Sequence, residues 1–437
     1  MATEILYSWG PGENRLALVR DGRLADLVLA RPELLAGAVV LGRVVEVAPK
    51  LGAVFVDIGQ DKPGYLQVKG LPQGALVLAQ VKADAQGGKG ATLTCEVSLS
   101  GRCLAYAPFR PGLAVSRKLA EDKRERLLER LEPLVAEDEG VVVRTHATTA
   151  AEGALEAELE TLRGQWAAIR AAEAQGNAPA VLWRPDPLLR LLADNPGVSR
   201  VLVDDPVLLA GARAVFAGAV EHYRDGPLFD LYDVEDAVAA ALDPVVPLPC
   251  GGRVTIEPTA ALTAIDVDSG GASAIEANTQ AVAVIARQLR LRNIAGQIVV
   301  DFVSTGRGKG PVFKLVTSLK QAVARDGVAT HVIGVTPLGL VELTRERKGP
   351  SLAELTQDRV CGPSADAVAL SALRQALAEA RARPGRALTL VVAPEVAAAL
   401  YYRAPAVAEA EARLGRKLAI RAEAGRQRAD IAVESQS

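Results

Sequence analysis

The stretch that most constrains this chain runs from residue 262 to residue 301. It opens as LTAIDVDSGG (262–271), passes through a long arginine-bearing segment, and closes as QIVVDFV (297–303). The apolar spacing predicts strand, helix, strand. Leu262, Ala264 and Ile265 lead into Asp266, Val267 and Asp268. Alternation along a strand puts Asp266 and Asp268 on one face and Val267 on the other. The second strand is β-branched and apolar, as suits a strand buried on both faces, until Asp301 interrupts it. A carboxylate there is costly unless it is paired or binds a cation. If the two strands pair, Asp266, Asp268 and Asp301 converge at one end of a sheet. Oxygen-only ligands of this kind suit Mg²⁺, with Mn²⁺ as an alternative. The other reading is of strand-end aspartates that cap turns and helices, and spacing alone does not separate the two.

A chain of 437 residues has room for roughly two to four domains. Apolar residues make up 49% and aromatics only 4%, so the cores must rest on Val, Leu, Ala and Ile. A net charge of −2 and a pI near 6.1 exclude the whole-chain basic balance of a strong nonspecific nucleic-acid binder. Any polyanion site is therefore a local patch. Cys95, Cys103, Cys250 and Cys361 are scattered without a CxxC pair, so no four-cysteine zinc site within one chain is expected. Reduced thiols and a cytoplasmic location are expected instead. The N-terminus lacks the basic start and apolar core of a signal peptide. No apolar run reaches the length of a membrane span.

Taken in order, residues 4–30 read as a short meander with Pro-Gly and Asp-Gly turns. Residues 37–99 read as about five short strands with Gly-rich turns, which fits a small OB-type barrel. Such barrels hold single-stranded nucleic acid by stacking and basic contacts. The candidates are Phe55, Tyr65 and Lys89, the last in a GGKG loop. The alternative makes Phe55 a core residue and Lys89 a solvated turn residue. A charged helix is expected over 115–135, and a strand over 140–147 that ends in Arg144-Thr145. Arginine beside a hydroxyl can hold a phosphate, although a surface arginine and a strand-end threonine would look the same. Leu155, Leu159, Leu162, Trp166 and Ile169 have helical spacing and are expected as core.

A Pro-rich stretch (178–187) leads towards a short helix, and 199–205 reads as a strand. Residues 207–242 read as mainly helical, and 250–271 as a hairpin leading into the acidic stretch. The helix over 277–293 carries Arg287, Arg290 and Arg292, with Val282, Ile285 and Leu289 facing the sheet. The basic, Gly-rich STGRGKGP (304–311) is not a P-loop. A helix is expected over 314–325, a strand over 330–336 and a helix over 338–351. The small α/β end reads as helix 366–383, strand ALTLVVA, helix 394–412 and strand 417–423.

This order of parts resembles the ribonuclease E/G family of RNA-processing endonucleases. The segments that carry the resemblance are LTAIDVDSG, IARQLRLRNIAGQIVVDF (285–302), LGLVELTRER (338–347) and GRVVEVAPKLGAVFVDIGQDKPGYL (42–66). The resemblance implies an α+β multidomain fold. Its RNase H-like core (1–34 and 207–242) carries an inserted S1-type OB barrel (35–99) and a 5′-sensor (100–206). A DNase I-like catalytic subdomain (243–358), a linker (359–364) and a small C-terminal α/β domain (365–437) follow. It further implies that Asp266 and Asp301 hold a catalytic Mg²⁺, with Asp268 where the family commonly has Asn. Phe55, Tyr65, Lys89, Arg290 and Arg292 are then the expected RNA contacts, and Gly101, Arg144 and Thr145 the 5′-phosphate sensor. The chain departs from the family pattern at Cys361, which stands alone where a CPxC zinc link is usual, so no zinc is expected. It departs again at Ala329, where the sensor's second arginine is missing, and at Ser304, where an acidic residue is lost. The implied activity is Mg²⁺-dependent endonucleolytic cleavage of single-stranded RNA, with a homodimer through the small domain as an expected partner contact and no membrane. A rival reading is an RNA-binding protein of this fold with lost or altered catalysis. A third is a binding module for another polyanion.

Overall fold

Alternation is strongest in residues 37–59. In the computed structural model this run becomes a long strand, Val39–Ala48, folded back on Ala53–Asp57. The Pro49–Leu51 turn between them closes on Gly52, whose φ of 60° lies in the left-handed region that glycine adopts at little cost. The structure describes residues 3–86, 88–116, 119–195, 197–305, 310–324, 326–358 and 362–436. The chain divides into two units, Glu33–Val198, and Met1–Pro32 with Ser199–Ser437.

Within Glu33–Val198, Val39–Ala48 also pairs with Leu76–Ala83. This closes a five-stranded barrel through Ala53–Asp57, Gly64–Leu66 and Thr92–Thr94. Val40, Val44, Val54, Val56, Leu66 and Leu93 fill its interior. The Pro-rich stretch, expected only to lead into a helix, contributes the strand Ala180–Trp183 to the barrel wall. Its apolar AVLW fits that position, and the helix Pro187–Asp194 follows. A second sheet joins Leu99–Ser100, Leu104–Tyr106, Gly140–Val143 and Gly112–Val115. Helix Ala154–Ala174 covers it, burying Leu155, Leu159, Leu162 and Ile169 at the expected spacing, with Trp166 partly buried. The charged helix is shorter than 115–135: it spans Glu121–Leu131, because Gly112–Val115 is taken up as a parallel strand beside Gly140–Val143.

In the second unit the meander forms as expected from Thr3–Ser8, Asn14–Arg20 and Arg23–Ala30, and Asp21 and Gly22 both take positive φ at its tight turn. Two parallel strands, Arg200–Val203 and Ala219–His222, extend this sheet. The sequence places the strand 199–205 with the preceding segment and predicts 207–242 as mainly helical. Hydrogen bonding to Thr3–Ser8 puts the first strand here, and the second pairs beside it.

A six-stranded sheet follows, in the order Val245–Pro247, Arg253–Pro258, Thr263–Asp268, Gly296–Asp301, Val341–Arg345, Thr330–Val335. Helices Ala274–Leu291 and Gly310–Val323 contribute to one core with this sheet, where Val282, Ile285 and Leu289 meet Ile265, Val267 and Val300. Each such side chain contributes about 1.5–3 kcal/mol on burial, which is what orients the Ala274–Leu291 helix. The helix expected over 338–351 is instead the strand Val341–Arg345. Its burial alternates, with Val341, Leu343 and Arg345 buried and Glu342 and Thr344 half-buried, and it is hydrogen-bonded on both sides. Pairing with two neighbours overrides the helical propensity of this run.

The small domain packs helices Ala365–Ala382, Pro394–Tyr402 and Ala404–Leu414 on a sheet ordered Ala419–Ala422, Ala387–Val392, Ala432–Gln436. The expected single helix 394–412 is broken at Arg403, where Pro405 follows in the first turn of the next helix. The strand Ala432–Gln436 was not foreseen. This domain is tied to the meander through Glu13, which is buried and accepts from Arg31 (2.6 Å) and Arg374 (2.9 Å). Arg413 adds a second tie: it pairs with Asp205 at 2.8 Å and lies over the Trp9 ring at 4.3 Å.

Burial would raise the Glu13 carboxyl, but Arg374, Arg31 and Arg15 together outweigh it and hold it below its usual value of 4.5. A depressed carboxylate stabilises the fold above its unfolded pKa and loses that stabilisation as pH falls through the folded value. Glu13→Ala leaves two guanidinium groups in a confined site without their anion, so a loss of about 3–5 kcal/mol is expected. Thermal melts at neutral pH check this. The wild-type advantage over Glu13→Gln should shrink as the pH is lowered below about 4.5.

Candidate functional site

The strands Thr263–Asp268 and Gly296–Asp301 pair in parallel, and their register sets Asp266 directly beside Asp301. Ile265 and Val267 on one strand and Val300 on the other point into the core, so both aspartates lie on the opposite face, and both are exposed. Among the described residues neither carboxylate has a hydrogen-bond or ion-pair partner. Asp268 is placed differently. Its Oδ2 accepts from Arg253 Nη2 at 2.6 Å and its Oδ1 from the Gly270 N–H at 2.8 Å. The three carboxylates share one face, with Asp266 and Asp301 side by side and Asp268 engaged by Arg253. Among the described residues no group of three or more His, Cys, Asp or Glu is placed to hold a metal. Arg253 escaped the sequence reading. The signal was available in the hairpin, whose register pairs Pro258 with Thr263 and so brings Arg253 opposite Asp268.

The arginines of the Ala274–Leu291 helix do not serve as expected. Arg290 is almost wholly buried and pairs with Asp26 at 2.6 Å, while Arg287 Nε donates to the Leu24 carbonyl at 2.8 Å. Arg292, also buried, donates to Gln288 Oε1 at 2.7 Å. The helix packs against the Arg23–Ala30 strand as well as against the six-stranded sheet, and keeps one exposed stripe at Glu276, Thr279, Ala283 and Arg287. Arg287 and Arg290 fasten the helix to the Arg23–Ala30 strand; Arg290 is almost wholly buried and Arg292 buried, whereas Arg287 stays exposed.

On the barrel, Phe55 and Tyr65 are directly paired across neighbouring strands, with ring centroids 6.0 Å apart at 67°. Both are half-buried. Val54 and Val56 take the interior, so Phe55 is not part of the barrel core. Lys89 is exposed in a tight turn closed by reciprocal backbone bonds between Gln86 and Lys89. Lys62 reaches the same turn and donates through Nζ to the Gly88 carbonyl. It was missed although it stands just before the Gly-Tyr of DKPGYL. The strand carrying Tyr65 runs beside Thr92–Thr94, which follows this turn.

Arg144, Thr145 and Gly101 come together in the second sheet of their unit. Arg144 donates to the Gly101 carbonyl (3.4 Å) and to Ser100 Oγ (3.2 Å), and Thr145 is exposed at the next position. Gly101 is required by an internal neighbour: a Cβ there would stand 2.0 Å from Glu158 Oε1. Glu158 in turn accepts from the N–H groups of Cys103 and Leu104. His146 is buried beside this strand end. Burial first, and then the charge of Arg102, depress its pKa below the usual imidazole value despite a backbone bond to Ala193. Cys361 and the central residues of STGRGKGP lie outside the described residues.

The family model of the ribonuclease E/G family matches residues 98–348. The chain belongs to the ribonuclease E/G family. It is 34% identical over 389 residues to ribonuclease E of Nostoc sp., covering 79% of this chain and 56% of that protein. Ribonuclease G of Salmonella typhimurium is 30% identical over 398 residues, 80% of this chain and 81% of that protein. Ribonuclease G of Haemophilus influenzae is 30% identical over 406 residues, 82% of each. The chain thus spans little more than half of the Nostoc ribonuclease E but most of the two ribonucleases G. By family it is an endoribonuclease, a hydrolase acting on RNA.

The packing of the arginine-bearing helix has a direct consequence for this ribonuclease E/G member. Arg290→Ala strands Asp26, which burial already pushes above its ordinary pKa in spite of Arg290. A loss of about 3–5 kcal/mol in stability is expected, as for any broken buried pair. The salt dependence of RNA binding, measured on folded protein, should keep its wild-type slope. A slope reduced by about 0.7, with an unchanged melt, would instead mean a phosphate contact.

Proposed function

We propose that this protein cleaves single-stranded RNA with a divalent cation, Mg²⁺ by preference, held by Asp266 and Asp301. The observation that carries the proposal is the register of two exposed aspartates, side by side on adjacent strands and without partners among the described residues. Adjacent strands lie about 4.8 Å apart, and a carboxylate pair at that spacing is repulsive unless a cation stands between or near its members. The donor set fits the ion: it consists of carboxylate oxygens only, it is open to solvent, and it leaves room for water and phosphate oxygens. A bound divalent cation supplies charge stabilisation at the scissile phosphate and activation of water.

The other residues bind and orient. Phe55 and Tyr65 offer ring faces and edges for stacking bases, and Lys62 and Lys89 lend positive charge beside them. Arg144 and Thr145 offer neighbouring donors for a 5′-terminal phosphate. With Ala329 in place of a second arginine, 5′-monophosphate ends are preferred only weakly. Dimerisation through the small domain and a cytoplasmic setting complete the proposal.

Asp266→Asn and Asp301→Asn should each nearly abolish cleavage of a single-stranded RNA in Mg²⁺ while leaving its binding intact. Asp268→Asn should be milder. Residues that act as a unit do not contribute additively, so the double mutant should be no worse than either single one. Wild-type rates in Asp266→Asn or Asp301→Asn would remove the proposed site.

The barrel is tested by binding. Phe55→Ala should weaken single-stranded RNA binding by about 1–3 kcal/mol, the worth of a base–aromatic stack, with little change in melting temperature. Lys89→Ala should lower the salt-dependence slope by about 0.7, the single-strand value per phosphate contact. Equal losses of stability and binding in Phe55→Ala would return that ring to a packing role.

A further inference from the structure

The ion pair between Arg253 and Asp268 shares a sheet face with the aspartate pair. Alternation from Asp266 puts Asp268 on the exposed face that carries Asp266 and Asp301. On the neighbouring antiparallel strand Thr255 is paired with Asp266 and Arg253 with Asp268. Val254 and Ile256 are buried between these positions, so Arg253 and Thr255 belong to the same open face. The guanidinium reaches Asp268 Oδ2 at 2.6 Å, and the Gly270 N–H takes Oδ1 at 2.8 Å. Both oxygens of Asp268 are thus engaged, in contrast to those of Asp266 and Asp301.

An exposed pair of this kind adds little to stability, since solvent screens it and two long side chains lose freedom. Its electrostatic effect on a neighbouring ion is another matter. Three aspartates on one face would present three negative charges to a cation, and the guanidinium cancels one of them. We infer that Arg253 is a charge-balancing residue of the candidate metal site: it neutralises Asp268 so that the divalent cation meets the two charges of Asp266 and Asp301. This rests on the metal reading proposed above. In this role Arg253 acts through Asp268 and is a positioning residue.

The consequence is a pair of opposite effects. Without Arg253, the bare Asp268 carboxylate draws a divalent cation more strongly. Without the Asp268 charge, Arg253 is left uncompensated and repels the cation. Losing both restores the net charge of the wild type. One unit charge near a divalent ion at a solvated site changes affinity by about threefold to tenfold. The differences should contract at high salt, because exposed charges are screened within about 3 Å at 1 M ionic strength.

The test is binding of Mn²⁺ alone to the full chain, followed by the electron paramagnetic resonance signal of the free ion, with melting temperature as a control. Arg253→Ala should tighten Mn²⁺ and Asp268→Asn should weaken it, each by about threefold to tenfold. The Arg253→Ala/Asp268→Asn double mutant should return close to the wild-type value, and Arg253→Lys, which keeps the charge, should match it. If Arg253→Ala and Asp268→Asn leave the affinity unchanged or shift it in the same direction, the charge-balancing role is overturned. Asp266→Asn and Asp301→Asn serve as the separate check on the metal reading. Loss of Mn²⁺ binding in both upholds that reading whatever Arg253 does. Unchanged binding in both overturns the reading, and the Arg253 inference with it.

Discussion

Everything at the acidic site depends on one parallel pairing, between Thr263–Asp268 and Gly296–Asp301. Parallel neighbours cannot be joined by a tight turn, so the chain must leave the sheet and return through a crossover. The Ala274–Leu291 helix is that crossover, and its Val282, Ile285 and Leu289 seat it on the sheet. Because side chains alternate, the same register that buries Ile265 and Val300 puts Asp266 and Asp301 together on the open face. The core and the candidate metal site are two faces of one pairing, and a slip of one residue would lose both.

The crossover helix also explains why Arg290 and Arg292 are not available to a ligand. A helix covering a sheet ordinarily turns its polar face to water. Here the Arg23–Ala30 strand packs on the helix as well, and Arg290 is buried against Asp26, while Arg287 donates to the Leu24 carbonyl from the helix's exposed stripe. Buried guanidinium groups need such partners, because an uncompensated charge in that position would cost more than the packing contributes. Glu13 with Arg31 and Arg374 repeats the device where the small domain meets the meander.

In the barrel unit, function is carried on the outer surface of a closed wall. Val54 and Val56 satisfy the interior, which releases Phe55 to pair with Tyr65 outside it. The proposed RNA contacts rest on this division, since a ring committed to the core could not stack on a base.

Local pattern alone determined much of this protein. The period-two alternation of 37–59, the leucine spacing of 154–174 and the Asp-Gly turn of the meander all read directly from the residues, because each rests on contacts between near neighbours in the chain. The placement of Asp266 and Asp268 on one face was equally legible. Tertiary structure decided the rest. Val341–Arg345 became a strand because two partners from elsewhere bond to it, and Ala180–Trp183 joined a strand more than a hundred residues earlier. Arg290 looked like a phosphate ligand until Asp26, brought near by the fold, claimed it. Asp268 reads as a third acidic group of that face, and the hairpin sets Arg253 against it. Periodicity tells which face a side chain occupies. Which charge it meets there depends on residues far away in the chain, and only the packed structure brings them together.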